Sequence, residues 1–132
     1  MRHRLYIDGL MFKRLRQRLS QDRADLRADT IRAWAASVEG VTAIGDADPR
    51  SVVRLAGVVE NVRVRPREGV PAFEAVVSDG TGTVTAVWLG RRVIPGLALG
   101  SRLIIEGRLG GDRDRMQVVN PSFEFAPAPE AH

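Results

Sequence analysis

Residues 52–64 have the sequence VVRLAGVVENVRV. This run is rich in β-branched residues, which is typical of a β-strand, and Gly57 is its only break. A glycine inside a strand pattern usually marks a bulge or a tight bend, as at the corner of a small barrel. The run therefore predicts one long, bent strand that contributes to both halves of a closed sheet.

Four shorter segments after this run are also predicted to be strands. They are separated by segments rich in turn-forming residues: a loop over residues 66–71, a hairpin turn over 79–82 and a tight turn over 110–114. Residues 91–99 contain a proline and a glycine and allow at most a short helix. The four predicted strands are residues 73–78, 83–89, 102–109 and 116–119.

Three strands, a short helical connector and two further strands is the order of the OB-fold, a five-stranded Greek-key barrel. We therefore predict a mainly β protein with this barrel and an N-terminal helical segment. An SH3-like barrel is the main alternative on strand count, but it normally lacks the connector between the third and fourth strands. The predicted organisation is a helical segment over residues 1–39, a linker over 40–50, the barrel over 51–126 and a disordered tail over 127–132.

The segment ahead of the barrel is predicted to be helical over residues 9–38, because it lacks proline and is rich in good helix formers. Apolar residues recur along one face from Met11 to Leu26, and arginines occupy the opposite face. Ser20 is a candidate internal N-cap that would divide the segment into two helices. The simplest interpretation is an amphipathic helix packed on its own domain. The functional alternatives are an oligomerisation helix and an arm that contacts phosphates.

Composition argues against an enzyme. The sequence has no cysteine, which excludes a disulfide framework, a thiolate zinc site and a cysteine nucleophile. Its two histidines, His3 and His132, lie at opposite ends. The carboxylates Glu60, Glu74 and Glu106 are scattered along predicted strands and are interpreted as solvated surface. We therefore expect a non-enzymatic protein with no metal and no cofactor.

The pattern of hydropathy and charge bears on location and partners. No segment approaches the roughly 18 to 20 continuous apolar residues that a membrane span needs, and the N-terminus does not resemble a secretory signal. A cytoplasmic protein with no membrane partner is expected. The net charge is +4, and residues 1–36 hold nine basic and four acidic side chains. A basic segment beside a nearly neutral body indicates an anionic partner.

The barrel segment contains the stretches VRLAGVV (residues 53–59), DGTG (79–82) and VWLGRR (87–92), with Gly100, Gly107, Asn120 and Pro121. This pattern resembles that of nucleic-acid-binding OB-folds. It is similar to the wedge domain of RecG-type branch-migration helicases and to the anticodon-binding domains of aminoacyl-tRNA synthetases, and most of all to small stand-alone OB-fold proteins of actinobacteria. This resemblance implies nucleic-acid binding, with DNA preferred over RNA, and none of the helicase motor activity.

OB-folds bind along the second and third strands, between the loops that join strands one and two and strands four and five. Arg63, Arg65 and Arg67 alternate with other residues at the end of the first strand. Because alternate side chains share one face of a strand, these arginines are predicted to project outward together and to contact phosphates. The alternative is an ordinary charged strand edge that discourages edge pairing.

Two aromatic residues are candidates for stacking on bases. Trp88 shares one face of the third strand with Val84 and Ala86. If this face points inward, Trp88 belongs to the core; if it points outward, Trp88 is a stacking platform. The same two alternatives hold for Phe73.

The sequence thus predicts a non-enzymatic module that binds single-stranded or branched nucleic acid, with Arg91 and Arg92 after the third strand, and Arg113 and Arg115 in the last turn, as further phosphate contacts. The alternative is a protein–protein adaptor built on the same barrel, in which the N-terminal helix contacts a partner or a second copy. The candidate binding residues are Arg63, Arg65, Arg67, Phe73, Trp88, Arg91, Arg92, Arg113 and Arg115.

Overall fold

A computed structural model describes residues 9–126 of the chain. The predicted tail, residues 127–132, lies outside the described residues, as do the first eight residues of the predicted helical segment. The elements are one helix, α1 (Gly9–Ser37), a short 3-10 turn (Ile44–Asp46) and six strands: β1 (Val52–Arg67), β2 (Val70–Ser78), β3 (Thr83–Leu89), β4 (Arg102–Asp112), β5 (Arg115–Val119) and β6 (Ser122–Phe125).

The first five strands form a closed barrel because β1 pairs with two partners. Its first part, from Val52 to Val58, lies antiparallel to β4, and the rest, as far as Arg67, lies antiparallel to β2. The circuit is completed by β2 with β3, β3 with β5 in parallel, and β5 with β4. This is the order of the predicted OB-fold, and the mainly β fold class is confirmed.

The bend in β1 lies where the sequence predicted it. The register of β1 against β2 shifts between Val59 and Asn61, two residues after Gly57. A Cβ at position 57 would lie 2.6 Å from Val77 Cγ1 and 2.7 Å from the carbonyl oxygen of Ser78. Gly57 is therefore needed because β2 crosses β1 too closely at the bend for a side chain to fit.

The hairpin between β1 and β2 corrects the predicted loop over residues 66–71. Only Glu68 and Gly69 form the turn, and both have the positive φ that a two-residue type I′ turn requires, 49° and 82°. Pro66 and Pro71 are paired directly, one residue beyond the pair that closes the turn. In an antiparallel ladder that position is not hydrogen-bonded, so neither missing N–H breaks the hairpin.

Two further elements differ from the predictions. Residues 91–99 form turns, so the predicted short helical connector is wrong. A sixth strand, β6, pairs with the free edge of β4 and was not predicted. It has only four residues, so its alternation of polar and apolar residues is too short to indicate a strand.

Helix α1 is continuous through Ser20, so there is no internal cap at that residue. Only its C-terminal turns contact the barrel, where buried Ala35 packs against Ala56 and Ile104. Side chains from Met11 to Arg27 are exposed. The interpretation as a helix packed along its own domain is therefore wrong for this part. No helix within residues 9–126 is long and apolar enough to cross a membrane.

Candidate nucleic-acid interface

Arg63, Arg65 and Arg67 lie on successive outward positions of β1, as the alternation predicted. The pairing of β1 with β2 places Glu74 directly opposite Arg63. Side chains of directly paired residues lie on the same face of an antiparallel sheet, so the register brings the carboxylate among the arginines.

All three arginines donate a hydrogen bond from Nε to the Glu74 carboxylate. Arg63 donates to Oε1 at 2.7 Å, while Arg65 and Arg67 donate to Oε2 at 2.9 and 2.8 Å. Glu74 is only 1% exposed. The side chains of Arg63 and Arg65 remain about half exposed. We call these four residues the Glu74 cluster. Its three guanidinium groups and one carboxylate give the cluster a net charge of +2.

The Glu74 carboxyl is ionised at neutral pH. Burial alone would raise its pKa, but the hydrogen bonds from Arg63, Arg65 and Arg67 outweigh burial and hold the pKa below its usual range. The cluster therefore keeps its charge of +2 across the physiological range.

The Glu74 cluster borders a groove of about 510 Å³, which we call the arginine groove. The groove reaches across the outer face of β3 and β5, where Arg67 Nη1 donates to Gln117 Oε1 at 3.1 Å. Its lining is polar apart from one methionine, and none of its described residues is aromatic. The lining residues are Arg63, Arg65, Arg67, Thr83, Thr85, Asp114, Arg115, Met116 and Gln117.

The two arginines of the last turn, both predicted to contact phosphates, have different surroundings in the structure. Arg115 lines the arginine groove. Arg113 does not, and forms an exposed ion pair with Asp48 at 3.4 Å. The turn itself is closed by Asp112 Oδ1, which accepts hydrogen bonds from the backbone N–H groups of Asp114 and Arg115.

Arg91 and Arg92 are exposed but do not line the arginine groove. Arg92 borders a separate cavity of about 270 Å³ beside the hairpin, with Val64, Val70 and Pro71 among its other lining residues. Arg91 and Arg92 therefore lie outside the arginine groove, but Arg92 shares this second cavity with Arg65 of the Glu74 cluster.

Trp88 and Phe73 belong to the core, each only 6% exposed. Trp88 shares the inward face of β3 with Val84 and Ala86, and its Nε1 donates to the carbonyl oxygen of Pro121 at 3.2 Å. Of the two alternatives that the sequence left open, the structure supports the core for both residues, since neither ring presents a face to solvent.

Sequence reasoning missed Glu74, which was interpreted as solvated surface. The signal was the Glu68–Gly69 dipeptide: with these two residues as the turn, counting back along both strands places Glu74 opposite Arg63. The groove-lining Thr83, Thr85 and Gln117 were also missed, because single polar residues on a strand are common surface features.

A second charged cluster lies on the first half of β1. Arg54 donates from Nη1 to Glu106 at 2.5 Å and from Nη2 to Glu124 at 3.3 Å. We call these three residues the Arg54 cluster; its net charge is −1. Hydrogen bonding to Glu106, which outweighs partial desolvation and is supported by Glu124, raises the pKa of Arg54 above its usual value.

A family model described as "OB-fold nucleic acid binding domain" matches residues 53–126. The chain belongs to this family. The match covers the barrel and β6, so an OB-fold nucleic-acid-binding domain accounts for more than half of the sequence. No curated protein matches the chain.

Among solved structures, the solution NMR structure of a replication factor A related protein from Methanobacterium thermoautotrophicum is similar. Its TM-score is 0.53 at 15% sequence identity, over 71% of this chain and 96% of that one. At this identity the likeness supports the fold alone. The resemblance to RecG-type wedge domains and to actinobacterial proteins stays a prediction.

Proposed function

We propose that this protein is a non-enzymatic module that binds single-stranded or branched nucleic acid through phosphate contacts in the arginine groove. The observation that supports this most is the Glu74 cluster, whose two positive charges lie on the strand face that OB-folds use for binding. Arg115 adds a further guanidinium group to the groove, where the neighbouring Asp114 offsets its charge.

The arginines retain donors for a ligand. A guanidinium has five N–H donors, and Glu74 takes the Nε donor of each arginine. Within residues 9–126, the Nη atoms of Arg63 and Arg65 have no hydrogen-bonded protein partner. These atoms suit the oxygens of a phosphodiester, which need charge and reach more than exact geometry.

The lining also indicates what kind of binding to expect. Because no described aromatic residue lines the groove, affinity comes from charge and polar contacts, with no contribution from bases stacked on rings. Binding should therefore tolerate sequence changes and fall steeply with salt. Phosphates are common to DNA and RNA, so the preference for DNA comes from the family resemblance alone.

Fluorescence anisotropy of a labelled oligothymidylate of about 20 nucleotides, titrated at several salt concentrations, tests this proposal; one OB-fold covers roughly 4 to 16 nucleotides. We expect Arg63→Ala/Arg65→Ala to reduce the salt slope by about 1.4, since each phosphate contact on a single strand contributes about 0.7.

The charge-matched control is Arg91→Ala/Arg92→Ala, which removes two arginines outside the groove and should leave the slope nearly unchanged. Equal losses in both double variants would contradict the groove assignment. A wild-type protein that binds no oligonucleotide even at low salt would exclude the proposed function for linear strands.

A second candidate function, self-association, is favoured by the exposed part of α1. Met11, Phe12, Leu15, Leu19 and Leu26 are each at least half exposed. At about 100° per residue they form one stripe, on the side of the helix roughly opposite to Ala35, which packs on the barrel. The chain's own barrel therefore does not cover this stripe.

The charges beside the stripe favour a second copy in parallel as its partner. Over residues 22–29, Asp22, Asp25 and Asp29 border one side of the stripe, and Arg23 and Arg27 border the other. In a parallel pair of helices the acidic side of one copy faces the basic side of the other, whereas an antiparallel pair would face like charges.

Sedimentation equilibrium tests this second function. Leu15→Glu/Leu19→Glu should shift the protein to a monomer with the melting temperature of the barrel unchanged, because these residues do not contact it. Gln17→Glu/Gln21→Glu makes the same charge change on the side away from the stripe and should preserve the dimer. A wild-type monomer at high micromolar concentration would refute self-association.

A further inference from the structure

Glu74 has an unfavourable charge for its position. Its carboxylate lies under a groove that is proposed to hold phosphates, which it repels, and it is almost completely buried. Burying a carboxylate carries a desolvation cost that hydrogen bonds and opposite charges must offset. Because Glu74 is buried, contact with water does not explain why a carboxylate occupies this position.

The geometry around Glu74 indicates what it does for the arginines. Three like charges on alternate residues of one strand repel each other, and long arginine side chains have many rotamers. The carboxylate accepts the Nε–H of all three, so it draws the guanidinium groups to one place and fixes their orientation. With Nε held, the Nη atoms of Arg63 and Arg65 are free to face a ligand.

We propose that Glu74 is a positioning residue for phosphate binding: it holds Arg63, Arg65 and Arg67 together in the orientation that receives the nucleic-acid backbone. This inference depends on the proposed function of the arginine groove. Glu74 does not itself touch the ligand, and its effect is to lower the cost of ordering three arginine side chains at the moment of binding.

The change in affinity that this role predicts for Glu74→Gln is opposite to the change that charge alone predicts. Glu74→Gln makes the groove more positive by one charge, so charge alone predicts tighter binding. Loss of orientation predicts weaker binding, by roughly tenfold, because ordering a long side chain costs about as much as a severalfold change in affinity and Arg63 and Arg65 are both released. The salt slope should also fall, since fewer arginines engage phosphates together.

The experiment measures anisotropy of the same labelled oligothymidylate with wild type, Glu74→Gln, Glu74→Asp and Glu106→Gln. Glu106→Gln is the matched control, because it makes the same charge change in the Arg54 cluster and should leave affinity unchanged or slightly raised. Glu74→Asp keeps the charge but withdraws the carboxylate by one methylene. It should weaken binding by a smaller factor than Glu74→Gln, whereas charge alone predicts no change.

The outcomes separate this inference from the function on which it depends. Wild-type binding that Glu74→Gln strengthens, or that Glu74→Asp leaves unchanged, overturns the positioning role but not the groove. Absence of wild-type binding overturns both. Thermal melts identify a variant that is unfolded at the assay temperature; if Glu74→Gln is unfolded, Glu74→Asp decides the matter. A purely structural Glu74 would lower the melting temperature and leave affinity and salt slope unchanged in the folded protein.

Discussion

The Glu74 cluster and the Arg54 cluster lie on the same strand and are built from the same residue types in opposite proportions. One gathers three arginines on a single carboxylate, and the other places one arginine between two carboxylates. The two clusters therefore carry net charges of opposite sign, +2 and −1. A polyanion is attracted to the Glu74 cluster, whereas the Arg54 cluster has no excess positive charge to attract it.

The two clusters also differ in the elements that surround them. The Arg54 cluster joins β1, β4 and β6, and Arg54 Nε also donates to the carbonyl oxygen of Glu39 just after α1, at 3.3 Å. Nearby, Arg102 lies over the ring of Trp34 at 4.7 Å, which fixes the helix end on the barrel. The Glu74 cluster borders the arginine groove of about 510 Å³, which is larger than the cavity of about 250 Å³ beside the Arg54 cluster. We therefore expect an arginine on β1 to have a structural or a binding role according to the charges around it and the elements that cover it.

The first way to sharpen this comparison is to remove one carboxylate from each cluster and measure stability by urea denaturation. Glu74→Gln should lower the free energy of unfolding by about 1 to 2 kcal/mol, because it weakens several hydrogen bonds to a buried charge whose partners are half exposed. Glu106→Gln should cost clearly less, since Glu106 is itself half exposed. Equal losses would show that burial does not distinguish the clusters.

The pH dependence of this difference provides an independent check. The folded pKa of Glu74 is lowered, so its contribution to stability is fully present above the unfolded value of 4.5 and is lost as pH falls through the folded pKa. The stability gap between wild type and Glu74→Gln should thus be constant from about pH 6 to about pH 8, where the carboxyl is ionised in both the folded and the unfolded state, and should close in acid. A gap that widens in acid would contradict the lowered pKa.

Much of the fold was predictable because the barrel strands are rich in β-branched residues and are separated by recognisable turns. Gly57 even identified the bend of β1. Strand β6 was not predicted because its alternating sequence, SFEF, has only four residues. Because of the prolines at positions 66 and 71, the sequence predicts a loop where the structure has a tight hairpin. The hairpin accommodates both prolines because they lie at a position of the ladder that is not hydrogen-bonded, and sequence alone does not give that position.

Only those features of the site that depend on alternation along a single strand were predictable. Alternation correctly placed Arg63, Arg65 and Arg67 on one face, but the position of Glu74 depends on the register between two strands. Because the sequence predicts a loop over residues 66–71, it does not define that register. For Trp88, alternation defined two faces of β3 without deciding which one points inward, and the inward face proved to be the one that holds the ring.

We propose that the charges around β1 give its end beside β2 a role in binding and its end beside β4 a role in stability. Arg65→Ala and Arg54→Ala test it most directly, because both remove one arginine from the same strand. The measurement is the salt dependence of oligothymidylate binding for both variants beside wild type. Arg65→Ala should weaken binding and flatten the salt slope, whereas Arg54→Ala should lower the melting temperature with little change in the slope. A larger loss of binding in Arg54→Ala than in Arg65→Ala would contradict the claim.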